Sequence, residues 1–397
     1  MVLSKSMASL VAGSSTIRKL FEEGKELAAE IGAENVYDFS LGNPAAPVPA
    51  EVSKAIKDII DNNPDSYVHG YMKNAGFDEV RENIANHLNK RFSMNYTASD
   101  IVMTVGAAGA MNCIFRSILE QDDEVIAFAP FFGEYRTYSG NYGGKLVVIP
   151  PKTENFDLNL DELDKAITVK TKCVIVNNPN NPSGKIYTRD TIERLKDIIE
   201  SARNRVGHPI YVIADEPYRE LAYDGEEVPY IPSIIKNTFY IYSFSKTLSL
   251  PGERIGYLAL SKDMDGYDEL IEAMVAAVRS LGYVNAPSLF QLVVSRCLDC
   301  NVDLEFYDKN RKLLYDSLTE MGYQVVKPQG AFYLLVKSPL SEDEEFVKLA
   351  KKNHILFPST KTFGCPGYVR IAYCVDYEMI KRALPAFRQL AKDCGIE

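Results

Sequence analysis

What this chain lacks narrows its class before any motif is read. No apolar run approaches the length of a membrane span. The opening stretch, Met1 to Gly13, holds one lysine and a short, serine-interrupted apolar segment, too weak for a secretory leader. Positive charge is in deficit. Lys and Arg number 44 against 54 Asp and Glu, giving a net charge of −10 and a pI near 5.2. That balance, without a basic segment, argues against nucleic acid or an anionic membrane as a partner. The seven cysteines offer one close pair, Cys297-x-x-Cys300, with no second pair and no nearby histidine to complete a zinc site. An odd number of thiols in a long chain reads as free cysteines in a reducing compartment, with the cytoplasm as the default. No internal repeat or low-complexity segment occurs.

What is present points to a globular chain of two domains. At 397 residues it is too long for one simple core, and 46% hydrophobic with 25% charged residues is ordinary for a globular protein. Residues 16–31 and 77–92 carry helical spacing. Between residues 100 and 260, short apolar strands alternate with helical stretches: 101–105, 124–130, 145–150, 173–177, 211–215, 238–242 and 255–260. That alternation predicts an α/β fold, a large doubly wound domain with a mainly parallel sheet. Beyond Gly256 the character changes. Residues 266–321 read as long helices broken at 282–287, then a strand pair surrounds Lys327-Pro328-Gln329-Gly330. A helix, a short strand and a last strand at 368–373 follow, a smaller α+β domain.

The most informative stretch is Ser243-Phe-Ser-Lys-Thr-Leu-Ser-Leu-Pro-Gly-Glu-Arg-Ile-Gly256. A β-prone run feeds into it and a second apolar run leaves it, so it reads as a polar loop between two buried strands. It sets Lys246 among hydroxyls, with Arg254 just downstream. A lysine is ordinarily a solvated surface charge, but these flanking strands are too apolar for an outer face. An amine held there can lose its proton by desolvation and act as a nucleophile. The order small-x-small-Lys followed by Gly-x-Arg-aliphatic-Gly resembles the pyridoxal-phosphate attachment signature of class I aminotransferases.

Several other segments carry the same resemblance, each beside a plainer reading. Gly42-Asn43-Pro44 ends a strand in a turn, and is similar to the family's segment across the mouth of the substrate site. Tyr71, otherwise a loop aromatic, matches a tyrosine that reaches the cofactor phosphate of the neighbouring subunit. Gly106-Ala107-Ala108-Gly109 joins a strand to a helix, where small residues let backbone N–H groups approach an anion. The resemblance makes this turn the phosphate cup. Phe132 falls where the family stacks a ring on the pyridine, with core packing the competing explanation. Asn177-Asn-Pro-Asn-Asn181-Pro-Ser-Gly184 could be a turn, but its order matches the family and gives Asn181 as a donor to the cofactor's phenolic oxygen. Asp215 ends a strand, where an unpaired carboxylate is costly. The resemblance supplies the protonated pyridine nitrogen as its partner and Tyr218 as a second phenolic donor. Arg370, in Val-Arg-aliphatic, corresponds to the fork that grips the substrate carboxylate, though an arginine in a strand is usually at an edge.

Taken whole, the resemblance implies a fold type I aminotransferase that moves an amino group from an L-amino acid to a 2-oxo acid in ping-pong fashion. Lys246 would carry pyridoxal 5'-phosphate as an imine and shuttle the α-proton. Ser243, Ser245 and Arg254 would hold its phosphate with Gly106, Ala107 and Ala108. Gly42, Asn181 and Arg370 would meet the substrate. Sites shared across a homodimer are implied, with residues 1–45 an arm contributing to the small domain, 46–290 the large domain and 291–397 the small one. The same residues would serve a carbon–sulfur β-lyase or a cyclopropane-forming synthase on this scaffold. A non-catalytic cofactor-binding regulator would need a DNA-binding module, for which the chain has no spare length. Donors such as aspartate, alanine or aromatic amino acids all remain open, and no metal is implied.

Overall fold

A computed structural model describes residues 2–12 and 16–397. Of the opening stretch, Met1 and Gly13 lie outside the described residues, and Lys5–Ala12 is helical. Twelve strands are present among the described residues. Seven build the main sheet: β2 (Ile101–Thr104), β3 (Glu124–Phe128), β4 (Lys145–Ile149), β5 (Thr171–Asn177), β6 (Tyr211–Asp215), β7 (Thr238–Ser243) and β8 (Gly256–Leu260). Their order is β2-β8-β7-β6-β5-β3-β4. The neighbours from β7 to β4 run parallel, while β8 runs antiparallel to both β2 and β7. The sequence reading of a mainly parallel sheet is met. Strands β2, β7 and β8 are buried along their whole length, because helices cover both faces and leave no side for polar residues.

The helices follow from local signals. In Asp78–Phe92 the first turn carries Asp78 and Glu79 and the last Lys90 and Arg91, complementing the helix dipole. Arg189–Val206 starts on Thr188, whose hydroxyl accepts from the Thr191 N–H, and stops at Gly207 with φ 80°. The stretch 266–321 resolves into Tyr267–Ser280, Ser288–Ser295 and Leu304–Glu320, with the expected break between the first two.

The C-terminal part is built on an antiparallel sheet of β9 (Val325–Val326), β10 (Tyr333–Lys337) and β12 (Tyr368–Ala372), with β10 in the middle. A separate parallel pair joins β1 (Tyr37–Asp38) to β11 (Ile355–Leu356), so the segment after the first helices packs with the C-terminal part. Phe39 and Ala46 share its apolar core with Tyr307, Phe332 and Phe387. The helix Ser288–Ser295 instead buries Leu292, Val293 and Val294 in the core of the main sheet. No helix among the described residues is long and apolar enough to cross a membrane, and all seven cysteines are free.

One edge of the main sheet matters most. The parallel strands all end there, so the segments after β2, β3, β5, β6 and β7 converge on it, the usual place for a site in an open α/β sheet. Because β8 runs the other way, Gly256 starts opposite both Thr104 and Ser243. That reversal brings Arg254 to the same edge.

Candidate active site

A cavity of about 320 Å³ lies between this edge and the C-terminal part. Of the fourteen residues singled out in the sequence, twelve line it: Gly42, Ala107, Ala108, Phe132, Asn181, Asp215, Tyr218, Ser243, Ser245, Lys246, Arg254 and Arg370. Gly106 stands just behind. Its φ is +73° and an added Cβ would meet the Arg254 guanidinium at 2.6 Å, so only glycine fits. Tyr71 is not in this cavity, and its side chain is 94% exposed on the protomer.

The lysine stretch departs from the expected loop. Ser243 caps a single helical turn, Phe244–Thr247, its hydroxyl accepting from the Ser245 N–H at 3.2 Å. That turn aims Lys246 into the cavity, where its amine donates to the Gly42 carbonyl at 2.7 Å. Burial, then the nearby Arg370 and Arg254 charges, lower its basicity to about 8 despite the opposing influence of the Cys374 thiol. Gly42 must be glycine, since an added Cβ would fall 2.0 Å from the Tyr333 hydroxyl.

One end of the cavity is arranged for an anion. Ala107 and Ala108 sit in the first turn of the helix Gly106–Ile118, whose N–H groups have no intrahelical acceptor. The Ser243 hydroxyl donates to that of Ser245 at 2.9 Å, and Arg254 donates to the Ser245 hydroxyl at 3.4 Å and to the Pro251 carbonyl at 2.8 Å. Arg254 forms no ion pair with an acid among the described residues.

Asp215, at the end of β6, is 6% exposed. One carboxylate oxygen accepts from the Tyr135 hydroxyl, and the other has no partner among the described residues. Burial raises this carboxyl to about 6, with the Tyr135 bond working the other way. Asn177 donates to the Asp215 carbonyl at 2.8 Å and accepts from the Asn181 N–H at 2.7 Å, tying the ends of β5 and β6 together.

Arg370 is 3% exposed and carries no acid partner among the described residues. It lies opposite Leu335 in β12, on the outer strand of the three-stranded sheet. It donates to the Ser40 carbonyl at 2.7 Å and to Asn181 Oδ1 at 3.3 Å, its Nε is unpartnered, and its guanidinium stacks 4.5 Å from the Tyr333 ring centre. A buried guanidinium without a counter-charge is expensive, and the chain keeps it at the wall of a cavity.

Sequence reading missed Tyr135, Tyr138, Asn177 and Tyr333, all of which line the cavity. Asn177 lay within a recognised motif. The tyrosines sit in an aromatic-rich helix start and a buried strand, where the local pattern reads as core.

The comparisons agree with this geometry. The family profile "Aminotransferase class I and II" matches residues 33–387. The aspartate aminotransferase of Pyrococcus abyssi is 30% identical over 96% of each chain. Aromatic-amino-acid aminotransferase 2 of Thermococcus litoralis is 28% identical, also over 96% of each. A crystal structure of an amino transferase from Eubacterium rectale superposes with a TM-score of 0.96, at 44% identity over 99% of both chains. With this fold, a lysine, a carboxylate and an arginine at its sheet edge, and that match over most of its length, the chain belongs to the class I and II aminotransferases.

Proposed function

We propose that the cavity transfers an amino group from an L-amino acid to a 2-oxo acid with pyridoxal 5'-phosphate. The observation that carries this reading is three ionisable groups in one cavity with no oppositely charged partner among the described residues: Asp215, Lys246 and Arg370. The donor set suits that cofactor. The orphaned oxygen of Asp215 calls for a cationic partner such as a pyridinium, and the cradle at Ala107, Ala108, Ser243, Ser245 and Arg254 suits a phosphate. Asn181 and Tyr218 would donate to the phenolic oxygen, and Phe132 would lie against the ring. When bound, the cofactor supplies an electron sink for the carbon that loses its proton.

The residues of the chain do the rest. Arg370 binds the substrate carboxylate through two N–H groups, fixing which bond at Cα faces Lys246. The Lys246 amine, its basicity lowered to about 8, takes the Cα proton and returns it, holding it at Nζ between the two events. Its contact with the Gly42 carbonyl keeps the amine on the cavity side. Asp215 keeps a negative charge at the far end, for which its exclusion from water makes the interaction strong.

The homodimer and the role of Tyr71 belong to the same proposal. The side chain is almost fully exposed, as a residue serving a partner's site would be on an isolated protomer. Refolding Tyr71→Ala together with Lys246→Ala should restore roughly a quarter of wild-type activity through mixed dimers, whereas no recovery refutes sharing. We place the division between the two domains between Cys297 and Val302, where side chains pass from one apolar core to the other. Seven free thiols favour a reducing compartment such as the cytoplasm.

The direct test is a panel of amino acids added to purified holoenzyme, following the visible absorbance and the 2-oxo acid formed. Stoichiometric oxo acid, with re-amination of pyruvate or another acceptor, is expected. Release of ammonia without transfer would overturn the reading.

A further inference from the structure

Tyr333 belongs to no motif, yet it touches three groups of the cavity at once. Its ring carries the Arg370 guanidinium at 4.5 Å. Its hydroxyl lies 3.0 Å from that of Tyr218. The same hydroxyl occupies the space a side chain at position 42 would need. We propose that Tyr333 is a positioning residue whose hydroxyl donates to Tyr218, leaving the Tyr218 proton free to point at the phenolic oxygen of the cofactor. This rests on the assignment of Tyr218 made above.

The direction of that bond follows from the surroundings. Each phenol has one proton, and the two hydroxyls can share only one proton between them. The better donor is the one whose negative charge is better tolerated. Arg370 stands against the Tyr333 ring, while Tyr218 is packed edge-on to the rings of both Phe332 and Tyr333. Burial raises both phenols and Arg370 opposes the rise in each, but Tyr333, whose ring the guanidinium lies against, rises only to about 12 and Tyr218 well above its ordinary value. The proton of Tyr333 therefore goes to Tyr218, and a hydroxyl that accepts one bond becomes a stronger donor of the next. Arg370, Tyr333 and Tyr218 form a relay from the carboxylate grip to the phenolic oxygen. A substrate carboxylate on Arg370 then alters the donor strength delivered at the other end.

The test uses a variant that deletes one oxygen and keeps the ring on Arg370. A donor at the phenolic oxygen favours the more negative form of the chromophore, so weakening it raises the pH at which the holoenzyme changes colour. Tyr333→Phe holoenzyme should show that midpoint shifted upward by about half to one unit. Tyr218→Phe should shift it further, and the double variant should match Tyr218→Phe alone. An unchanged midpoint in Tyr333→Phe, or shifts that add in the double variant, would overturn the relay, since a packing role moves neither. Purified wild-type protein that gains no visible band from added pyridoxal 5'-phosphate would instead sink the cofactor reading itself.

Discussion

Asp215 and Glu216 are neighbours at the end of β6, and they meet opposite fates. Glu216 is fully buried and takes the Arg219 guanidinium at 2.5 Å on one oxygen, so that, although its other oxygen is unpartnered as one of Asp215's is, its charge is answered. Arg219 in turn donates to the Val228 and Pro229 carbonyls, at 2.9 and 2.7 Å. Close by, Arg91 grips both oxygens of Glu220 at 2.6 and 2.7 Å. On that side the chain answers charge with charge. On the cavity side, among the described residues, Asp215 has a tyrosine hydroxyl and an orphaned oxygen, and Arg370 has only a backbone carbonyl and an amide. Both arrangements bury ions at a cost, but only the first recovers it within the fold. Where charges are left open, the counterpart is expected from outside.

Five changes probe that contrast. The largest effect is expected from Lys246→Ala, which deletes the proton carrier and should cut amino transfer by on the order of 10⁴, read from oxo acid formed per enzyme. A residual rate near wild type would move the proton to another group.

Next come the two arginines, which should fail in different ways. Arg370→Leu should lower kcat/KM for amino acids by roughly 10²–10³, the usual result of truncating one partner of a buried charge contact, while melting close to wild type. Arg219→Leu strands a buried carboxylate and should cost about 3–5 kcal/mol of stability, measured by denaturant unfolding. If Arg370→Leu were the less stable of the two, the open side would be structural after all.

Asp215→Asn should lose roughly a hundredfold in turnover and gain stability in the cofactor-free protein. Its carboxyl is raised from an ordinary 3.8 to about 6, so the folded chain holds the proton more tightly than the unfolded one. The stability linked to this group is therefore present below pH 4 and lost as pH climbs to 6. The variant escapes that loss, so its melting advantage should open between pH 4 and 6 and level off above. A constant advantage at every pH would exclude ionisation as its origin.

The smallest effect is expected from Tyr135→Phe. Removing the one donor to the Asp215 carboxylate among the described residues pushes that carboxyl higher still, so the acid limb of kcat/KM should move up in pH. Activity should fall several-fold near pH 6 and recover by pH 9. A uniform loss across the profile would make Tyr135 a packing residue.

The motifs that were legible share one property: each sits where a strand ends and its polar residues are out of place. Lys246, Asp215 and Asn181 stand out because apolar runs lead straight into them. Arg370 stands out as a charge inside a strand. Tyr135 and Tyr333 could not be picked out, because a tyrosine among apolar neighbours has the composition of a core. Only the pairing of β10 with β12 and the packing of residues 80 positions apart give them partners. The reversed direction of β8 was equally hidden, since apolar alternation carries no sense of direction. The four-residue helix at Phe244–Thr247 was too short to leave a period in the sequence.

The pairing of β1 with β11 bears on how the molecule is made. During synthesis every strand of the main sheet emerges before residue 261, and the arginine and tyrosine of the far wall come more than seventy residues later. The segment carrying Gly42 is made early but has nothing to pair with until Ile355 appears. A domain that folds as it leaves the ribosome therefore waits with Lys246 facing solvent and its earliest wall unanchored. Of all the parts of the site, the first translated is among the last to be secured.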